Sequence, residues 1–222
     1  MKKAKFSIIL TAVFCLLCVF FTACGQTDIS TPSTGNNEPA QSTETPSGGN
    51  DGAGDSENSD GNSNHILVVY FSRSGNTENM AKSVANLSGG TLFEIEPSIP
   101  YSTNYQETVN RHRQELANNA RPEIAYRVDD WDSYNIVFVG FPLWSGNAPM
   151  IIHTFMESYD FSDKKVVPFG TSGGSNGSVA YRNLSNDYPD IQFLSGLNLT
   201  GSQISSPDGP VRNWLGGLNL LK

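Results

Sequence analysis

The sequence from residue 65 to residue 222 predicts an α/β fold in which helices cover both faces of a parallel sheet. Two observations support this prediction. Apolar runs of strand length alternate with helical patterns along the whole stretch. The runs are nearly continuous, as in Ile136-Val-Phe-Val-Gly140, and such runs are typical of parallel strands buried on both faces. The alternation predicts a doubly wound, three-layer sheet of five strands, whose ligands bind beyond the carboxyl ends of the strands.

The predicted strands are 66–71, 91–96, 136–141, 165–169 and 197–200, and the predicted helices are 77–87, 103–120, 149–158, 178–186 and 210–218. The first strand runs into a polar turn, Ser72-Arg-Ser-Gly-Asn-Thr77. Such a turn gathers unpaired backbone N–H groups and hydroxyls at the positive end of a helix, where a phosphate is stabilised. The turn lacks both the P-loop pattern and the Gly-x-Gly-x-x-Gly of a dinucleotide-binding fold. It therefore indicates a different phosphate site, or a polar helix start without a ligand.

The third strand ends in a loop between two prolines, Pro142-Leu-Trp-Ser-Gly-Asn-Ala-Pro149. Trp144 in this loop can cover a flat ring by stacking, and packing in the core is the alternative. Gly146 has no Cβ, so its backbone can adopt conformations that strain other residues.

The fourth strand ends in Phe169-Gly-Thr-Ser-Gly-Gly-Ser-Asn-Gly177. Glycines let the backbone approach a planar ligand, and the hydroxyls of Thr171 and Ser172 add hydrogen-bond donors. With the common strand order 2-1-3-4-5, the loops after strands one, three and four converge on one site.

The N-terminal part of the chain divides into two regions. Residues 1–24 predict an export signal, because three lysines precede an apolar run that ends at Cys24. Phe-Thr-Ala before Cys24 resembles a bacterial lipobox, which implies lipidation of this cysteine; an uncleaved signal anchor is the alternative. Both interpretations place the remaining chain on the outer side of a membrane. Residues 25–64, which are rich in Ser, Thr, Gly, Asn, Pro and acids, predict a disordered polar linker.

Composition excludes several functions for residues 65–222. All three cysteines precede this region, which excludes disulfides, thiolate metal sites, iron–sulfur clusters and a cysteine nucleophile within it. The region has 15 acidic and 11 basic residues, and the basic residues form no stripe or Arg-rich helix. We therefore expect no nucleic-acid partner.

The three loops, together with Tyr101-Ser-Thr-Asn-Tyr105 and the run from Tyr134 to Trp144, resemble the short flavodoxin-like family of bacterial lipoproteins and cytosolic proteins. The resemblance covers residues 65–222 and implies a flavodoxin-like fold with non-covalently bound FMN. The residues that it implies for the FMN phosphate are Ser72, Arg73, Ser74, Asn76 and Thr77. Those implied beside the ring are Pro142, Leu143, Trp144, Ser145 and Gly146, and those implied at its polar edge are Thr171, Ser172, Gly173 and Gly174.

Two further expectations concern residues outside these loops. Tyr101 and Tyr105 could reach the substrate face of the ring. His112 shares a helical face with apolar residues, so we expect a half-buried histidine whose hydrogen bonds are satisfied.

These features predict an FMN-binding redox protein on the outer side of the cell membrane, anchored through Cys24. Its partner would be another redox protein or a quinone-like small molecule. No catalytic residue and no metal site are assigned. The alternatives are an FMN-dependent NAD(P)H:quinone-type reductase and a non-redox binding module with the same fold.

Overall fold

The computed structural model of the protein describes residues 64–222. The predicted signal at 1–24, with its Cys24, and all but the last residue of the predicted linker at 25–64 lie outside the described residues, so these expectations stay predictions. Within the described part of the chain, no helix is long and apolar enough to span a membrane.

Between residues 64 and 222, six strands form one sheet, and five α-helices connect or flank them. The strands are β1 (Ile66–Tyr70), β2 (Thr91–Glu94), β3 (Ile136–Pro142), β4 (Lys165–Ser172), β5 (Gln192–Phe193) and β6 (Leu197–Thr200). The helices are α1 (Asn76–Ser88), α2 (Tyr105–Ala117), α3 (Met150–Glu157), α4 (Ser178–Asp187) and α5 (Asp208–Leu218). Short 3-10 turns lie at Trp131–Ser133 and Gly201–Ile204.

The sheet has the order β2-β1-β3-β4-β5, and its strand pairs are parallel. This confirms the predicted doubly wound, flavodoxin-like fold. The strand alternation separates two cores: Val137 and Val139 of β3 face α3 and α4, whereas Ile136 and Phe138 face α1 and α5. The central strands are buried on both faces because helices cover both, and so their sequences are almost entirely apolar.

The fifth position of the sheet differs from the prediction. Both β5 and β6 pair with β4, and residues 194–196 separate them. Gly196 lies at this break, where a Cβ would overlap the carbonyl of Pro168 and the ring of Tyr181. The chain lies so close to the neighbouring backbone here that only a residue without a side chain fits, and the strand is interrupted. The predicted strand at 197–200 is β6, and β5 was not predicted.

A second close approach lies at the centre of the sheet. Gly140 of β3 is paired with Phe169 of β4, whose ring fills the space that a Cβ at Gly140 would occupy. This packing sets the carboxyl ends of β3 and β4 side by side, just before the loops that each strand feeds.

Candidate functional site

The loops after β1, β3 and β4 meet at the carboxyl edge of the sheet, as predicted. The hydroxyls of Thr77 and Thr171 are hydrogen-bonded at 2.9 Å, and both residues are buried. The amide of Leu143 donates to the carbonyl of Thr171 at 2.9 Å. These two bonds join the β4 loop to both of the other loops.

The start of α1 has the features of an anion site. Gly75, with φ of 84°, precedes the helix, and no side chain caps it. The hydroxyl of Ser72 is buried there without a hydrogen-bond partner. An uncapped helix start presents free N–H groups and a positive partial charge. Glu78 in the first turn opposes this charge, but it is paired with Lys82 at 2.5 Å.

Arg73 is held by the loop between β2 and α2. Its guanidinium donates to the carbonyls of Ser102 and Thr103 and to the hydroxyl of Thr108, at 2.6–3.1 Å. Arg73 therefore fastens this loop to the end of β1, and a contact between Arg73 and a phosphate stays a prediction. The other predicted phosphate residues differ in exposure: Ser74 and Asn76 are exposed, whereas Thr77 is buried.

A tight turn follows β3. Trp144 and Asn147 exchange two backbone hydrogen bonds of 3.0 Å, and φ is 51° at Ser145 and 77° at Gly146. Two successive left-handed residues make this a type I′ turn. The tip of the turn is therefore Ser145-Gly146. Trp144 lies at the base of the turn and is half-buried. Pro142 and Leu143, which precede it, continue along the edge of the sheet.

The indole of Trp144 lies in an aromatic cluster at this edge. Its ring centre is 5.4 Å from that of Phe71, 5.1 Å from that of Tyr101 and 5.3 Å from that of His112, each edge-on. Trp144 thus packs against neighbouring aromatic rings, and its expected role in covering a flat ring stays a prediction. Tyr105 is exposed and has no ring contact in this cluster.

His112 differs from the expectation of a satisfied, half-buried histidine. Its side chain is buried, with 4% exposed, and neither ring nitrogen has a hydrogen-bond partner. Burial lowers the pKa of His112, and the negative charge of Glu115 opposes this shift. Sequence periodicity could place His112 on the inner face of α2. It could not show that both ring nitrogens would lack hydrogen-bond partners.

The loop after β4 is held by its own hydrogen bonds. The Ser172 hydroxyl donates to the carbonyl of Ser175 at 2.6 Å, and Asn198 of β6 donates to the same carbonyl at 2.9 Å. The amide oxygen of Asn198 is buried without a partner. Gly173 and Gly174 at the tip of this loop are exposed.

Unpartnered polar atoms are concentrated at this edge. Among the described residues, the buried side-chain polar atoms without a hydrogen bond belong to Ser72, His112 and Asn198. Each of these residues lies in, or contacts, one of the three converging loops. Since buried polar groups are nearly always paired in native proteins, this concentration indicates the site of a polar ligand.

The family pattern described as Flavodoxin matches residues 65–217. The chain belongs to the flavodoxin family. No curated protein shows significant similarity to this flavodoxin-family chain.

Several solved structures are similar to this flavodoxin-family chain. A candidate flavoprotein from Bacteroides uniformis is 34% identical, with a TM-score of 0.63 over 70% of this chain and 99% of the other. One from Bacteroides eggerthii is 34% identical, with a TM-score of 0.62 over 69% and 97%. A flavoprotein from Lactobacillus acidophilus, solved in complex with FMN, is 22% identical, with a TM-score of 0.57 over 65% and 98%. At that lower identity the likeness concerns the fold alone.

Proposed function

We propose that the protein binds FMN non-covalently and transfers electrons on the outer side of the cell membrane. The concentration of unpartnered buried polar atoms at the carboxyl edge of the sheet carries this proposal. Membership of the flavodoxin family and the FMN complex of the similar Lactobacillus acidophilus flavoprotein support it.

The residues at the start of α1 fit a phosphate. The uncapped N–H groups of α1 and the unpaired Ser72 hydroxyl can donate to phosphate oxygens, and Ser74 and Asn76 are exposed beside them. The Thr77 hydroxyl is already bonded to Thr171, so we assign it the additional role of joining the two loops.

The other two loops fit a flat ring with polar atoms along one edge. Trp144 and the neighbouring Pro142, Leu143 and Ser145 supply the apolar side, with the left-handed Gly146 beside them. The polar side comes from the loop after β4, namely Thr171, Ser172, Gly173 and Gly174. When bound, FMN supplies the redox chemistry, and these residues bind and orient it and exclude water.

The physiological partner is proposed to be a redox protein or a quinone-like small molecule. The modest acidity of residues 65–222 favours a small-molecule acceptor, since 15 acidic and 11 basic residues make a weak field for steering a protein partner. An NAD(P)H:quinone-type reductase activity therefore remains the second candidate function.

A titration of the purified protein with FMN tests the proposal. We expect quenching of flavin fluorescence and a shifted visible spectrum, with riboflavin binding more weakly because it lacks the phosphate. Reduction of the bound flavin by NADH or NADPH would then favour the reductase over the carrier. If micromolar FMN does not bind, the fold serves a non-redox binding module instead.

The proposed anchor is tested separately. A labelled fatty acid should be incorporated into the wild type, but not into a Cys24→Ala variant, if Cys24 is lipidated. Absence of label from both proteins would favour the uncleaved signal anchor.

A further inference from the structure

His112 lies against the aromatic residue proposed to cover the flavin. The imidazole of His112 and the indole of Trp144 are 5.3 Å apart between ring centres, with an angle of 70° between their planes. With 4% of its side chain exposed, His112 lacks a hydrogen bond at both Nδ1 and Nε2. A buried polar group without a partner lowers stability, so a phenylalanine in this place would serve packing better.

The groups around His112 favour its neutral form. Burial lowers the pKa of His112, and the charge of Glu115, one turn along α2, raises it less. The carboxylate of Glu115 accepts hydrogen bonds from Arg111 at 2.7 Å and from Tyr101 at 2.8 Å, which reduces its effect on the imidazole. Tyr101 itself is neutral, because burial raises its pKa.

A backbone group in the turn after β3 also affects the pKa of His112. The carbonyl of Trp144 raises the pKa of His112, although no hydrogen bond of normal geometry joins them. This carbonyl already accepts the amide of Asn147 within the turn and has a second lone pair free. A small rotation of the turn could therefore give His112 the partner that it lacks.

We propose that His112 is a positioning residue for Trp144, and that flavin binding gives His112 a hydrogen bond and is coupled to the uptake of a proton. The proposal rests on the proposed function, because it requires the flavin to bind against Trp144. If Trp144 moves to meet the ring, it exposes His112 to water or brings its carbonyl to the imidazole. Both changes favour the protonated form, and the negative phosphate acts in the same direction.

FMN should bind more tightly at lower pH. The pKa of His112 lies below its ordinary value in the free protein. The proposal requires that it rise in the complex. The affinity for FMN should therefore increase as the pH falls from the bound pKa to the free pKa, and this contribution should be constant outside that window. A rise of one in the pKa corresponds to about a tenfold gain in affinity across the window.

Proton uptake is measured by calorimetric titration with FMN near about pH 6, in two buffers that differ in ionisation enthalpy. The wild type is compared with His112→Phe, which keeps a flat ring and removes both nitrogens. The phosphate titrates equally in both proteins, so its contribution cancels. We expect proton uptake in the wild type to exceed that of the variant. A His112→Gln variant, which retains hydrogen-bonding groups, should bind FMN more tightly than His112→Phe at fixed pH. It should not show the additional proton uptake of the wild type.

An NMR titration of the wild-type histidines needs no variant. The His112 resonance should report a higher pKa with FMN than without it. His153 is the internal control, since burial also lowers its pKa but it lies on α3, where it is hydrogen-bonded to Tyr188 at 3.1 Å. Equal proton uptake in the wild type and His112→Phe, or an unchanged His112 pKa, would overturn this proposal alone. If neither FMN nor riboflavin binds, this proposal is overturned together with the proposed function.

Discussion

Replacement of Ser72 by alanine should separate binding from stability. The Ser72 hydroxyl is buried and has no partner in the ligand-free protein, so its removal deletes no hydrogen bond. We expect the free energy of unfolding of the ligand-free protein to stay the same or to rise slightly. The same hydroxyl should donate to the FMN phosphate, and that bond is lost in the variant.

The size of the binding loss follows from the charge of the acceptor. A hydrogen bond to a charged group contributes about 1.5–3 kcal/mol, whereas one between neutral groups contributes about 1 kcal/mol. The affinity of Ser72→Ala for FMN should therefore fall about ten- to one-hundred-fold. Riboflavin, which has no phosphate, should bind the variant and the wild type equally.

Ser83→Ala provides the matched control, on the helix α1 that follows the turn of Ser72. Ser83 is also buried, but its hydroxyl donates to Asp208 at 2.5 Å. This variant should lose about 1–3 kcal/mol of stability and keep its affinity for FMN. Denaturant unfolding of the ligand-free proteins and fluorescence titration with both flavins measure the two effects. A destabilised Ser72→Ala protein, or equal losses for FMN and riboflavin, would refute the phosphate assignment of Ser72.

Three further substitutions test other parts of the structure. Trp144→Ala should weaken FMN and riboflavin alike, by about 1–3 kcal/mol in a fluorescence titration, and unchanged binding would remove Trp144 from the site. Arg73→Ala should destabilise the ligand-free protein by about 1–3 kcal/mol in denaturant unfolding, because it releases the β2–α2 loop and the first turn of α2, where Thr108 lies; a loss confined to FMN affinity would instead show a direct phosphate contact. Gly140→Ala should lower the melting temperature, at a cost of about 1–3 kcal/mol or more, because its methyl group would overlap Phe169; a stable variant would mean that β3 and β4 can separate.

The sequence predicted a parallel sheet because the strongest signals belong to the central strands, and the order 2-1-3-4-5 came from the flavodoxin type of doubly wound fold. Runs such as the one at 136–141 are apolar on both faces, as is typical of a parallel sheet covered by helices on both sides. The position of β5 was not predictable in the same way. A strand of two residues has no periodicity, and the close approach of Gly196 to Pro168 depends on the folded neighbours rather than on the local sequence.

The meeting of the three loops was predictable, but the hydrogen bonds that join them were not. The turn residues at 72–77 and the glycines after β4 indicated where a ligand would bind. The bonds of Arg73 to the β2–α2 loop and the pairing of Thr77 with Thr171 join residues far apart in the chain, and single-residue chemistry gives no sign of them. The missing partners of His112 likewise depend on how α2 packs against the turn of Trp144.

The short strands at both borders of the sheet have a consequence for how the chain behaves before it is fully folded. One border is β2, with four residues, and the other is divided between β5 and β6, with two and four residues. A long, straight border would offer an unbroken row of free backbone groups on which another copy could add a strand. The interruption at 194–196 keeps that row short and so limits aggregation by strand addition. If the chain is exported unfolded, as we propose, this protection acts while it folds.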